Sequence, residues 1–329
     1  MSVLALGGGG IGGVYGRTTF TEAVEVVRTA LDAGIDLFDV AQSYGDGLAE
    51  SVVGTAIAGK RHEVTLLTKV ELPPGVTEVD RFVQDSVRGS LERLGTDHLD
   101  ILMIHNILSD TPGRPHASAI GIDTARRMHD VLERYRSEGV ARWLAFSAWR
   151  CSEHVLDAML ERGFDVLQAE YSLLNQTGIR RADPGHGFGD LSLLERTHDD
   201  RSMAQFEFRG VDQRRVITRA AEMGIGVIGV RPLAAGALTT GLDRVPPPHS
   251  DFQLTQGAVQ GLLAATGWPA RELAKRAIQF ATACPQLASV SVGAKNVPEL
   301  EDALAGLTAP PMIAQDLGAI DRIAWATYA

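Results

Sequence analysis

Four side chains suited to proton transfer stand at or near the ends of short apolar runs. Asp39 lies in the run 35–40, and Tyr44 follows five residues after it. Lys69 ends the run 64–69, and His105 ends the run 99–105. A carbonyl that receives a hydride gathers negative charge on its oxygen and needs a proton from an acid beside it. Tyrosine, with an ordinary pKa of about 10, is too weak an acid for this at neutral pH unless a cation lowers that value. Lys69 has the charge to do so, and Asp39 can hold that charge in place. His105 can donate a hydrogen bond that fixes the carbonyl oxygen. None of the four activates water or carries a covalent intermediate, so the set favours redox chemistry over hydrolysis. Singly, each has a bland reading: a lysine reaching for solvent, a rim tyrosine, a structural histidine. Together, at this spacing, they are much harder to explain as structure.

Such residues must be brought together by the elements that carry them. Eight short apolar runs recur along the chain, at 3–6, 35–40, 64–69, 99–105, 142–147, 165–170, 226–230 and 288–293. Each is apolar on both faces, as parallel strands buried on both sides are. Amphipathic stretches lie between them. In 21–31, Ala23, Val26, Val27, Ala30 and Leu31 share a face, with Thr21 as N-cap and Gly34 as stop. Others are 79–94, 124–138, 152–162, 212–223, 271–283 and 297–304. Strand and helix alternating in this way predict an α/β fold, a single (β/α)8 TIM barrel that takes in residues 1–329 as one domain. The C-terminal ends of its strands converge on one mouth, where residues 39, 44, 69 and 105 would meet. Gly7-Gly8-Gly9-Gly10-Ile11-Gly12 also fits the dinucleotide pattern G-x-G-x-x-G. That fingerprint needs a helix opening on the motif, and Gly13 and Gly16 argue against one. The run is read as a loop at the barrel mouth. Long loops are expected after strands 6 and 7, at 175–211 and 231–269, and an apolar helical tail at 313–328.

Bulk properties narrow the partners. The net charge is −10 and basic residues form no run, which argues against nucleic acid. Cys151 and Cys284 are far apart and outside any metal-binding spacing, so two buried free thiols are expected. No signal peptide is visible, and no apolar segment approaches the ~20 residues of a membrane span. The expectation is a cytoplasmic protein, monomeric or a small homo-oligomer, with no metal. A metal-dependent barrel isomerase or hydrolase would need His-x-His at the first strand or a set of acidic ligands at strand ends, and neither appears.

The stretch Gly34-Ile35-Asp36-Leu37-Phe38-Asp39-Val40-Ala41-Gln42-Ser43-Tyr44-Gly45, with Glu50 and Gly54, resembles the aldo-keto reductase signature. Ser90-Leu91-Glu92-Arg93-Leu94, Asp97 and Leu99-Asp100 leading to His105 resemble the family's second signature. Gln168 to Asn175 and Gly224 to Leu233 match in order, so the resemblance runs from about Leu4 to Leu304. It implies that Asp39, Tyr44, Lys69 and His105 are the catalytic tetrad, with Tyr44 as general acid/base. It implies a hydride transfer between NAD(P)H and an aldehyde, ketone or sugar. Ser147 and Gln168 fall where the family holds the nicotinamide carboxamide, and Val230, Arg231, Pro232 and Leu233 fall beside the ring. Gly293, Lys295, Asn296 and Asp302 fall at the adenosine end. Lys295 tilts the choice toward NADP, with NAD open.

The chain also departs from the pattern. Ser147-Ala148 stands where Ser-Asn is common, Val230 where an aromatic ring stacks, Arg231 where serine is frequent, and Asp302-Ala303 where an acidic-Asn pair reads adenine. The chain starts almost on its first strand, without the amino-terminal hairpin of many relatives. His105-Asn106 and Val230-Arg231-Pro232-Leu233 point to the bacterial, sugar-dehydrogenase-like branch. The alternative is a cofactor-binding regulatory protein of the same fold with little turnover.

Overall fold

The computed structural model describes residues 1–113, 116–179, 213–240 and 252–326. Eight parallel strands close into a barrel in the order β1 to β8: β1 Leu4–Gly7, β2 Leu37–Asp39, β3 Thr65–Val70, β4 Leu99–Ile104, β5 Ala141–Ser147, β6 Val166–Glu170, β7 Gly226–Val230 and β8 Ser289–Gly293. β8 closes on β1 through the pairs Leu4↔Val290 to Gly7↔Gly293. Helices Phe20–Asp32, Leu48–Ala56, Val79–Leu94, Ile122–Ser137, Glu153–Leu160, Val216–Glu222, Leu273–Thr282 and Val297–Leu307 run between or after the strands. Among the described residues, no helix is long and apolar enough to cross a membrane.

Side-chain alternation explains where the chemistry sits. Strand residues two apart share a face, so each strand sends every second side chain into the lumen. Ala5, Leu37, Leu67, Ile101, Met103, Ala145 and Ile228 form a separate apolar cluster there, with Trp143 and Val166 against it. The next inward position on each strand lies one layer nearer the mouth. Those positions are Gly7, Asp39, Lys69, Ser147, Gln168 and Val230. A dry plug of aliphatic side chains thus supports a polar layer.

Some local readings shift. The first long helix begins at Phe20, as expected near Thr21, but its N-cap is Thr19 rather than Thr21, because Thr19 and Glu22 form a reciprocal capping box. The glycine run is not wholly loop: Gly8–Ile11 makes one helical turn directly on β1, and Gly12 ends it. That turn lies so close to the exit of β8 that a Cβ on Gly10 would collide with the Ala294 backbone. Gly45, at φ +65°, similarly leaves no room for a side chain against the Gly12 carbonyl. The helix Leu48–Ala56 was not read from sequence, although it carries Glu50 of the first motif. The connection after β7 contains the helix Phe252–Thr266. Much of the expected loop at 175–211 lies outside the described residues. The tail is helical over Ala314–Ala326, and both cysteines are free and buried.

Candidate active site

Asp39 and Lys69 are almost wholly buried, at 4% and 1% exposure. An unpaired charge so placed would cost several kcal/mol, and the two carboxylate oxygens of Asp39 answer this in different ways. Oδ1 forms an ion pair with Lys69 Nζ. Oδ2 accepts from Gln168 Nε2 at 2.9 Å and from Ser291 Oγ at 2.7 Å. Lys69 Nζ also donates to the Val40 carbonyl at 2.9 Å and to the Tyr44 hydroxyl at 3.2 Å. Burial works against the charged lysine, but the Asp39 carboxylate and then the Tyr44 oxygen outweigh it, and the ammonium is held above its ordinary value.

Tyr44 departs from the expectation. Burial raises its phenol to about 12; Lys69 pulls the other way, while Asp39 and Tyr15 add to the rise. The cation is in place, yet desolvation of a tyrosinate is the larger effect. Tyr44 therefore keeps its proton at neutral pH, the state a proton donor needs. His105 meets Tyr44 edge to face, ring centroids 5.7 Å apart at 82°. Its Nδ1 faces the Glu71 carboxylate at 3.4 Å.

The motif residues that touch no substrate space have a structural reason. Glu50 is fully buried and accepts from Thr68 Oγ1 at 2.5 Å and from Arg93 Nε at 2.7 Å. It thus ties the strand position beside Lys69 to the helix Val79–Leu94. Asp100 accepts from the Leu66 backbone N–H and from Arg61, both at 2.8 Å, fixing β3 against β4.

Tyr44 and His105 open onto a cavity of about 530 Å³ at the C-terminal ends of the strands. Of the residues predicted to bind cofactor, Ser147, Gln168, Val230, Arg231, Pro232, Leu233, Gly293, Lys295 and Asp302 all line it. Asn296 does not; its side chain caps the helix Val297–Leu307, accepting from the Glu299 N–H at 3.0 Å. Lys295 lies in the cavity wall but is paired: Nζ is 2.9 Å from Glu299 Oε1, and its backbone N–H donates to Oε2 at 2.8 Å. Val230 is half-buried and faces the cavity rather than the core. Trp149 lines the same cavity, with the Arg231 guanidinium 5.5 Å from its ring. Tyr171 does not line it and stacks on Phe280, ring centroids 5.3 Å apart. Arg231 holds φ at +58°, in the left-handed region, a strain that non-glycine residues tolerate mostly at functional sites.

Tyr15, Ser291, Glu71 and Glu299 were not singled out from sequence. Ser291 was legible in principle, since it occupies an inward position of β8. The other three lie outside strands, and only the folded chain brings them to the site.

The cavity suits a nicotinamide dinucleotide. Its size falls within the ~300–1,000 Å³ of small-molecule and cofactor pockets. Gly7, Gly8, Gly9 and Gly10 give part of its wall no side chains, and Ser147, Gln168, Arg231 and Lys295 supply polar groups along its length.

Comparison with known proteins agrees with this geometry. The model of the aldo/keto reductase family matches residues 3–185. The chain is similar to L-galactose dehydrogenase of Arabidopsis thaliana, with 24% identity over 98% of this chain and 89% of that protein. It is also similar to D-threo-aldose 1-dehydrogenase of a Pseudomonas species, with 28% identity over 55% of this chain and 60% of that one. The solved holo structure of aldo-keto reductase AKR11C1 from Bacillus halodurans superposes with a TM-score of 0.70. At 22% identity, it covers 99% of this chain and 93% of its own, and shares the fold. With a family match across more than half its length, the chain belongs to the aldo/keto reductase family, nicotinamide-dependent oxidoreductases that reduce carbonyls or dehydrogenate sugars.

Proposed function

We propose that Tyr44 is the general acid/base of this reaction, with Lys69 and Asp39 as its charged support and His105 as the partner of the substrate oxygen. The observation that carries this reading is the contact of the Tyr44 hydroxyl with Lys69 Nζ at 3.2 Å, in a buried ion pair that opens onto the cavity. A nicotinamide bound along this cavity supplies or takes up the hydride. In reduction, Tyr44 gives its proton to the oxygen as charge develops there, and Lys69 stabilises the phenolate left behind. In oxidation, the same tyrosine takes the hydroxyl proton. The buried charges hold this geometry before substrate arrives, so little reorganisation accompanies proton transfer.

The substrate is a small aldehyde, ketone or sugar, and the names of the two relatives above favour a sugar. A screen of aldehydes, ketones and aldoses with both cofactors, followed at the nicotinamide absorbance, tests this. Turnover with members of this class is expected. Cofactor binding without turnover on any of them would leave a cofactor-binding protein and overturn the reading.

The adenosine end is proposed to lie against Lys295, Glu299 and Asp302. Lys295 favours NADP, but its ion pair with Glu299 sets a carboxylate beside any 2′-phosphate. Lys295→Ala is expected to weaken NADPH by about 1.5–3 kcal/mol, the worth of a hydrogen bond to a charged group, and NADH less. Removing the carboxylate in Glu299→Gln is expected to act in the opposite direction on NADPH. Titration of both variants with both cofactors checks this, and equal losses of the two cofactors in Lys295→Ala would contradict it.

Val230 leaves part of the proposed nicotinamide face without an aromatic partner. Val230→Tyr is expected to tighten cofactor binding several-fold, since stacking contributes about 0.5–1.5 kcal/mol beyond burial. Unchanged affinity in a folded variant would show that Trp149 or Arg231 already covers the ring.

A further inference from the structure

Glu71 has no part in the proton path above, yet its carboxylate is the neighbour of His105. The register of the barrel places it there. Val70 pairs with Ile104, and the His105 N–H donates to the Val70 carbonyl at 2.9 Å, so Glu71 and His105 leave their strands side by side. Glu71 Oε2 lies 3.4 Å from His105 Nδ1, an ion-pair distance rather than an aligned hydrogen bond. That nitrogen is buried, and among the described residues no other acceptor is recorded for it. The His105 contact holds the Glu71 carboxyl below its usual range despite burial, helped by Ser118 and His116, so it is ionised at neutral pH.

A carboxylate only accepts, so the ring nitrogen turned to it must carry a proton. A neutral imidazole has one N–H. With that proton on Nδ1, the Nε2 left for the cavity is a bare acceptor. We propose that Glu71 is a positioning residue that fixes His105 with Nδ1 protonated, so that only the imidazolium can donate from Nε2 to a carbonyl oxygen, whereas the neutral ring offers Nε2 to a hydroxyl. The inference rests on the reading of His105 as the substrate-oxygen partner and deepens it. Carbonyl reduction uses the doubly protonated ring, and alcohol oxidation uses the neutral one. The proton delivered to oxygen still comes from Tyr44, and His105 keeps both of its own through the step. Among the described residues, the other charged or titratable groups recorded about the ring and its Glu71 partner are Tyr44, with Lys69 and Asp39 behind it, and His116, which acts on Glu71.

The test uses the full chain labelled with 15N-histidine, and long-range 1H–15N NMR to read the tautomer of His105, assigned by its loss in His105→Asn. In the native protein on the alkaline side, the Nδ1–H form is expected. In Glu71→Ala the ring should revert to the Nε2–H form that free imidazole side chains prefer. Glu71→Gln, nearly the same shape, removes the carboxylate charge that faces the ring at 3.4 Å and should move the pH profile of reduction toward acid. Its cofactor affinity should be unchanged, which a general loss of structure would not allow. An Nε2–H ring in the native protein, or a reduction profile that Glu71→Gln leaves in place, would overturn the proposal. His105→Ala tests the underlying reading separately: reduction at the native rate there would remove His105 from the reaction, whatever its tautomer.

Discussion

Tyr44→Phe is expected to lose nearly all carbonyl reduction, by about 10²–10⁴ in turnover, while binding the cofactor as the native protein does. The variant removes one oxygen and the proton it carries. The ring and its edge-to-face contact with His105 remain, so the cavity wall is preserved. The native phenol, raised to about 12 mainly by burial, keeps its proton at neutral pH. Fluorescence titration with NADPH and steady-state turnover separate binding from chemistry. Turnover at the native rate, or a loss confined to cofactor binding, would contradict the assignment.

Lys69→Met is expected to lower reduction by about 10²–10³, the typical cost of removing one preorganised electrostatic partner from a developing anion. Lys69 pulls the Tyr44 phenol down against burial, so its removal lets that phenol rise further. In the oxidation direction the base is the tyrosinate, which exists only above the phenol pKa. The limb on which oxidation rises with pH should therefore move to higher pH. The variant also leaves Asp39 buried without its cation, which typically destabilises by about 3–5 kcal/mol. Gln168 and Ser291 still donate to Asp39 and temper that loss. A thermal melt beside the kinetics keeps the two effects apart. A pH profile unchanged in height and position would exclude a Tyr44–Lys69 pair.

The parts of this molecule legible in its sequence are those set by periodicity. Buried parallel strands leave apolar runs, and all eight runs correspond to strands of the barrel to within a few residues. Once the strands are placed, alternation alone sends Asp39, Lys69, Ser147, Gln168 and Val230 to the mouth. Local hydrogen bonds were harder to anticipate. Thr21 is the cap expected from the sequence, but Thr19 takes that place because Glu22 closes the box with it. The helix Leu48–Ala56 hid because its face is fixed by Glu50, a buried acid, rather than by an apolar stripe alone.

Pairings across the chain are not written in either period. Lys295 read as a cation ready for phosphate because nothing in the sequence says which way Glu299 turns. The lowering expected of Tyr44 failed for a similar reason: a motif names the cation beside the phenol but not how completely water is excluded from both. Glu71 lies two residues beyond Lys69 and drew no notice, since only the β3–β4 register shows that it faces His105.

The most direct test of the central claim is a double-mutant cycle on single-turnover hydride transfer, using Tyr44→Phe, Lys69→Met and the double variant. If Lys69 acts through the Tyr44 hydroxyl that it touches at 3.2 Å, removing that hydroxyl leaves the lysine nothing to stabilise. The double variant should then transfer hydride no more slowly than Tyr44→Phe alone. Losses that multiply, each single effect appearing in full in the double variant, would show that the two residues act independently and that Tyr44 and Lys69 are not one acid.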